Sequence, residues 1–474
     1  MKHLKSIFTL ALTLLLSGVT HSQMGSINNT LGTGGTFRIR TATDSFFTVT
    51  QSTGNVSVFR NLELGGDSLS TSTRGVITKD GRRFIHNYSS PGDVGENTFV
   101  GLEAGNFTTG GDGVGYNTGV GYRSLYSLAD GGYNSAFGAR SLQSNTDGYS
   151  NSAFGSFSLY SNTTGTHNSA FGSSALYSNT TGQHNCAFGN FSLLSNTTGY
   201  SNSAFGYSSL EDNTTGFCNS AFGVEALFSN TTGSWNSAFG PRALQSNITG
   251  IGNTAVGSHS LYSSTGNNNT AIGDSAGSNI TTGSNNITIG FNAQVPTNTA
   301  SNQIRLGNTA ITYAGIEVAW TITSDKRNKE NISPIGLGLG FISKLNPVSY
   351  VRKNDENKKT EYGLIAQEVE QVLKECGIEN HAMLTITDEG MYELRYNDLI
   401  APMIKAIQEL KEKSDEKDIE IAKLKDENEK LISELNNKET RISSVESQLN
   451  EILQVVNELK NKQEDVKNVK LGGK

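Results

Sequence analysis

The feature that most constrains this chain is an internal period. Asn-Ser-Ala-Phe-Gly begins at Asn134, Asn151, Asn168, Asn202, Asn219 and Asn236, with the variants Asn-Cys-Ala-Phe-Gly at Asn185, Asn-Thr-Ala-Val-Gly at Asn253 and Asn-Thr-Gly-Val-Gly at Asn117. Successive starts lie 17 residues apart, and looser copies at Asn97 and Asn269 extend the array outward. A unit this short cannot bury its own apolar residues, so neighbouring units must stack. In the unit from Asn168 to His184, Ser169-Ala170-Phe171 reads as a short strand closed by Gly172. A second apolar point follows at Ala175-Leu176, then a polar turn, Asn179-Thr180-Thr181-Gly182. Strand, turn, strand, turn make one coil of a β-roll or solenoid. Stacking aligns Phe137, Phe154, Phe171, Phe188, Phe205, Phe222 and Phe239 in one apolar column, and Leu142, Leu159, Leu176, Leu193, Leu210, Leu227 and Leu244 in a second. Identical residues at one position in every coil also allow Asn and Thr ladders, and glycines supply the positive φ that corners need.

Composition agrees with a thin, repetitive β-structure. Hydrophobic residues are 35% and aromatics 8% of the chain, while Gly numbers 53, too lean a mixture for one large conventional core. The formal charge of −7 is modest, and the basic residues are mixed with acids rather than gathered in a stripe, so nucleic acid is not an expected partner. Cys186, Cys218 and Cys376 are too widely spaced for a disulfide framework or a metal knuckle. His167, His184 and His259 have no ligand spacing and read as surface or ladder residues; no metal or cofactor is expected. The recurring Asn-x-Thr triplets read as turn chemistry rather than glycan acceptors.

The repeats resemble the head repeats of trimeric autotransporter adhesins, whose Asn-Ser-x-Ala-Ile-Gly units form a parallel β-roll in a trimer. The resemblance covers residues 95–310, with a longer unit here. It implies a roll-like fold and leaves its handedness open.

The flanks differ in kind. Residues 1–22 read as a secretory signal, with Lys2 and Lys5 before the apolar run Ile7 to Leu16, a run too short to span a bilayer. The expectation is a secreted or cell-surface protein with no membrane span in the mature chain. Residues 23–95 form a small β-module, with strands expected at Thr36 to Arg40, Phe46 to Thr50 and Val56 to Leu64. Residues 96–310 hold the roll, and 311–323 link it to a charged, helix-rich region. There, Gly336 to Leu345 reads as a short packed helix before a strand at Val348 to Val351 rather than a phosphate loop. Residues 401–460 carry heptads. One seam position holds Ile407, Ile421, Asn428, Leu435, Ile442, Leu449 and Val456; the other holds Leu410, Leu424, Leu431, Lys438, Val445, Ile452 and Leu459. The mix of Ile and Leu fits a trimeric coiled coil at least as well as a dimer, and Asn428 and Lys438 would fix register. Residues 461–474 form a polar tail expected to be disordered.

One segment can hold chemistry. Ser324-Asp325-Lys326-Arg327-Asn328-Lys329 places a Ser five residues before a Lys, which by spacing alone is a solvated turn. The pattern Ser-Asp-x-Arg-x-Lys is followed by Leu345 to Val348 (Leu-x-Pro-Val), by Tyr362-Gly363-Leu364-Ile365-Ala366-Gln367-Glu368-Val369-Glu370, and by Tyr396 ahead of the helix Ala406 to Leu410. Together these motifs resemble the intramolecular chaperone auto-processing domain of phage endosialidases, tailspikes and tail fibres, also found in the myelin regulatory factor. The resemblance implies an α+β domain over 324–400 that assembles a homotrimer and makes one cut in its own chain. It implies Ser324 as nucleophile and Lys329 as general base, with the scissile bond beside Ser324 at Thr323–Ser324. Asp325 and Arg327 would support the loop. The base must be a neutral amine, which requires burial or nearby positive charge.

The reading that follows is a secreted, adhesin-like trimeric fibre released from its chaperone by Ser-Lys autoproteolysis, without activity on external substrates. The alternative is a structural or adhesive protein whose C-terminal domain only trimerises. A polymer-degrading enzyme is disfavoured, because Glu211, Asp212 and Glu225 do not recur at one coil position. A glycan or cell-surface ligand along the repeats is compatible with either leading reading.

Overall fold

The computed structural model describes residues 36–40, 45–50, 55–58, 76–88, 97–107 and 115–471, with side chains described from residue 76 through residue 466. The expected signal, residues 1–22, lies outside the described residues. The chain divides into two units, residues 1–147 and 148–474.

In the first unit, β1 (Thr36–Arg40), β2 (Ser45–Thr50) and β3 (Asn55–Val58) make an antiparallel sheet in that order, where alternation predicted strands. A hairpin of β4 (Ile77–Lys79) and β5 (Arg82–His86) then pairs antiparallel with β6 (Thr98–Val100), the first coil strand. β6, β7 (Thr118–Val120) and β8 (Ser135–Phe137) run parallel. This end of the roll is closed by large groups. Phe99, 1% exposed, fills the position that Ala holds in later coils, and Gly119 and Gly105 leave the room its ring needs. His86 is buried between the Phe99 and Phe107 rings, 4.8 and 4.6 Å away, with Nε2 2.8 Å from the Ala104 carbonyl oxygen. The Glu103 carboxylate accepts from Arg82 and Arg123, at 2.8 and 2.6 Å, tying hairpin to coils. A terminal repeat that differs from the rest is what a stacked array requires, because an open end would leave its interior wet.

In the second unit the coil strands are β9 (Ser152–Phe154), β10 (Ser169–Phe171), β11 (Cys186–Phe188), β12 (Ser203–Phe205), β13 (Ser220–Phe222), β14 (Ser237–Phe239), β15 (Thr254–Val256), β16 (Thr270–Ile272), β17 (Ile287–Ile289) and β18 (Ile304–Leu306). Each pairs parallel and in register with the next, Ala170 opposite Ala187 and Phe171 opposite Phe188. Alternation across three residues sends Ala inward and Ser and Phe outward. The phenylalanine column therefore forms on the outer face: Phe154 to Phe239 stack with centroids 4.5 to 5.0 Å apart, the spacing of neighbouring strands, and Phe239 remains 42% exposed. Val256, Ile272, Ile289 and Leu306 continue the exposed stripe.

The interior is held by Ala, Leu and asparagine amides. Asn168 donates through Nδ2 to Asn151 Oδ1 at 3.1 Å and to the Gly182 carbonyl at 2.9 Å, while its backbone N–H reaches the same Oδ1 at 3.0 Å. The pattern repeats through Asn253. A second ladder links Asn162, Asn179, Asn196, Asn213, Asn230 and Asn247 at 2.8 to 2.9 Å. These are the asparagines of the Asn-x-Thr triplets, and they are fully buried. From Asn253 to Asn269 the spacing falls to 16 residues. Ser264 then stands where the next ladder Asn would be, and Asn247 Oδ1 has no partner.

The second side of each coil is a turn and not the expected strand. Leu176 has φ +52° and lies fully buried, with Ser174 at +57° and His184 at +59° in the same coil. Left-handed backbone at non-glycine residues costs about 1–3 kcal/mol each; here the next coil pins it, through Leu176 N–H to the Ser192 carbonyl at 3.0 Å. The corners therefore do not depend on glycine alone. Gly172 has φ +142°, and a Cβ there would strike the Gly189 carbonyl of the next coil; at Gly182 a Cβ would likewise strike the Asn179 amide and the Gly199 carbonyl.

Beyond the roll stand α1 (Leu339–Ile342), the antiparallel pair β19 (Val348–Val351) and β20 (Thr360–Gly363), α2 (Ala366–Glu375), the hairpin β21 (Leu384–Ile386) and β22 (Tyr392–Leu394), and α3 (Ile400–Leu471). The short helix and strand fall where the sequence placed them. Helix α3 runs past residue 460 to Leu471, so the polar tail is helical to that point and not disordered there; its Lys, Glu and Gln residues are good helix formers. No helix among the described residues is long and apolar enough to cross a membrane.

Two outcomes are expected. Asn196→Ala removes a link whose neighbours, Asn179 and Asn213, cannot reach water, and should destabilise the roll by about 1–3 kcal/mol in urea unfolding; Thr197→Ala, at a half-buried hydroxyl, should cost about 1 kcal/mol or less. Burial lowers the His86 pKa to about 4 and the two arginines lower that of Glu103 to about 2, so at intermediate acidity the unfolded state binds more protons than the folded. The hairpin end should lose stability as pH falls from about 6.5 towards 4, and further towards 2. Hydrogen exchange at residues 82–105 should rise there, and His86→Gln should remove the upper part of that rise.

Candidate functional site

Ser324 and Lys329 are brought together by a tight local turn. Asp325 caps a 3-10 turn, Lys326–Asn328, its carboxylate accepting the Arg327 N–H at 2.8 Å. The Arg327 guanidinium closes on the same carboxylate, Nη2 to Oδ2 at 2.7 Å, which holds the Asp325 carboxyl below its ordinary range and raises the Arg327 pKa. This ion pair is exposed and contributes little stability; its effect is on shape. Asn328 and Lys329 donate back to the carbonyls of Asp325 and Lys326, each at 3.1 Å, and the chain reverses. Lys329 Nζ then donates to Ser324 Oγ at 2.6 Å. Asp325 and Arg327 thus make the turn, and Thr323 lies exposed on its upstream side. Ser324 and Lys329 are likewise open to solvent in the single chain.

The surrounding domain has a small core of Phe341, Val369, Val372, Leu373, Met383 and Leu399. Long-range polar contacts join the motifs that the sequence left apart. The Leu364 N–H donates to the Tyr396 hydroxyl at 2.9 Å, and Gly363 passes beneath that hydroxyl and the Tyr350 ring, where a Cβ has no room. The Glu409 carboxylate, on the first turns of α3, accepts the Leu339 N–H at 2.7 Å and so caps α1; Gly338 makes way for it. Folding of α1 is thereby tied to the long helix. The β21–β22 hairpin reaches the roll: Asp388 N–H donates to the Pro296 carbonyl at 2.8 Å, Asn298 N–H to Asp388 Oδ2 at 2.7 Å, and Arg305 pairs with Glu393 at 2.7 Å. Sequence reasoning assigned no role to Glu409, Asp388, Glu393 or Arg305. Each is an ordinary charged residue whose partner lies far along the chain, and only the quoted Ala406 to Leu410 motif pointed near one of them.

The heptad positions are unfilled in one chain. Ile407 is 67% exposed, Leu431 62% and Ile452 60%, so the apolar seam of α3 has no partner within its own chain.

No curated protein and no solved structure matches the chain. Residues 324–378 match the sequence model of the family described as chaperone of endosialidase, a family of self-cleaving peptidases, and the match begins at the serine that Lys329 touches. Residues 324–378 are thus similar to the chaperone-of-endosialidase domain and follow a β-solenoid, an arrangement consistent with a tail-fibre-type protein.

Proposed function

We propose that this protein is a secreted, trimeric, adhesin-like fibre whose C-terminal domain brings three chains into register and then releases itself by one cut at Thr323–Ser324. The observation that carries the cut is the contact of Lys329 Nζ with Ser324 Oγ at 2.6 Å, at the first residue of the family match. The exposed seam of α3 supports assembly, and the family implies trimerisation.

In this reading Lys329, neutral once buried, takes the Ser324 hydroxyl proton while Oγ attacks the Thr323 carbonyl carbon. The C–N bond breaks as Lys329 passes that proton to the Ser324 nitrogen, which leaves as the new amino terminus, and the acyl group rests on Oγ as an ester. Water hydrolyses that ester, leaving a Thr323 carboxylate and restoring the hydroxyl. Burial is the missing ingredient in one chain, where both side chains face water, so assembly would supply it. Cleavage then reports a completed trimer, and losing the chaperone leaves the fibre kinetically trapped. The same solvent exposure favours a second reading, in which the domain trimerises and never cuts.

The test expresses the full chain beside Ser324→Ala and Lys329→Met. The parent should give two fragments on a denaturing gel, the smaller beginning at Ser324 by N-terminal sequencing, and both variants a single band. Cutting that persists in Ser324→Ala would overturn the assignment, as would a parent that stays whole once trimers have formed.

A further inference from the structure

Residues 311–323 join the last coil to Ser324, and their composition is not that of a plain linker. Ile316, Val318, Trp320 and Ile322 alternate with Glu317, Ala319, Thr321 and Thr323. Such a period of two, rich in β-branched residues, specifies a strand with one apolar face. Yet these four apolar side chains are 56%, 81%, 73% and 67% exposed. Among the described residues, residues 312–323 belong to no strand, and no backbone hydrogen bond joins them to the rest of the chain. In the single chain the run bends at Glu317 and Val318; with both backbone edges open and its apolar side chains in water, it is half of an interface that a partner strand would straighten.

We infer that residues 316–323 form a strand that pairs with the same residues of the neighbouring copies, its apolar face packed around their common axis. This rests on the proposed trimer. Three features select a second copy as the occupant. The seam of α3 is equally unfilled from Ile407 onward, and parallel helices packed through it hold equivalent residues of the copies level, so each segment meets its own counterpart. Glu317 is the one charge between Ile311 and Thr323, and it alternates away from the apolar set, so identical strands can approach without like charges on the packed face. The run also ends at Ser324, so ordering by a neighbour would reach Thr323–Ser324 directly. A strand completed only between copies would hold the scissile bond extended and shielded when, and only when, the copies are in register.

Trp235 and Trp320 are the two tryptophans of the chain, which makes the segment readable. The probe is the full chain carrying Ser324→Ala, to keep it whole, and Trp235→Phe, to leave Trp320 alone, with oligomeric mass followed by sedimentation. In the trimer, Trp320 emission should shift to the blue and acrylamide quenching fall several-fold relative to the dissociated chain. Adding Val318→Pro, which removes a ladder N–H, should restore quenching while the trimer mass stays unchanged. A trimer in which Trp320 stays freely quenched would overturn the inference while leaving the proposed assembly intact, as would protection that survives Val318→Pro or is already present in the monomer. A chain that never trimerises would instead sink the proposed function, and this inference with it.

Discussion

The asparagine amide ladder is the interaction on which the rest of the roll depends. A side-chain amide has two donors and an acceptor, and at full burial each must be met. Asn168 meets them with the coil before it and with the turn of its own coil, so no coil is satisfied alone. The same dependence fixes Leu176 in left-handed backbone, because the hydrogen bonds that hold it come from the next coil. Stability in such a structure is a sum over neighbours, and it needs special ends. Phe99 and the β4–β5 hairpin close one terminus of the first unit, while in the second unit the β21–β22 hairpin touches the final coils.

A ladder built from identical links has a weakness that follows from its strength. Asn185, Asn202 and Asn219 offer the same groups in the same geometry, so nothing local distinguishes one coil number from the next. Chains assembling side by side could pair one coil out of step at little cost. In the proposed trimer a register would have to come from outside the repeats, and the C-terminal region would supply it. Its seam carries the polar positions Asn428 and Lys438, and Glu409 couples the base of the long helix to α1, whose Phe341 lies in the core of the chaperone domain. Contacts from Asp388 and Glu393 then extend from that domain to the last coils.

Much of this was legible in the sequence, and the misses have physical causes. The period, the ladders, the short helix before Val348 and the heptad helix are local patterns written residue by residue. The phenylalanine column was legible but its side was not: hydrophobicity does not place it, and the small Ala between Ser and Phe takes the interior, leaving the rings on the outer face. The left-handed leucines were not legible, since leucine rarely takes that conformation and does so here only under tertiary constraint. At the site, the motif pointed to Ser324 and Lys329 as the expected pair, while the turn that brings them into contact depends on Asp325 as a cap. The contact of Leu364 with Tyr396 crosses 32 residues and could be read only as a co-occurring motif.

The central claim is that the serine and lysine, exposed in one chain, become competent only when copies assemble. The most direct measurement is the dependence of cleavage rate on chain concentration during refolding of the full-length protein. The account predicts that the fraction cut per unit time rises steeply with concentration and levels off once trimer formation is complete. A rate independent of concentration down to dilutions where the chain is monomeric would contradict it.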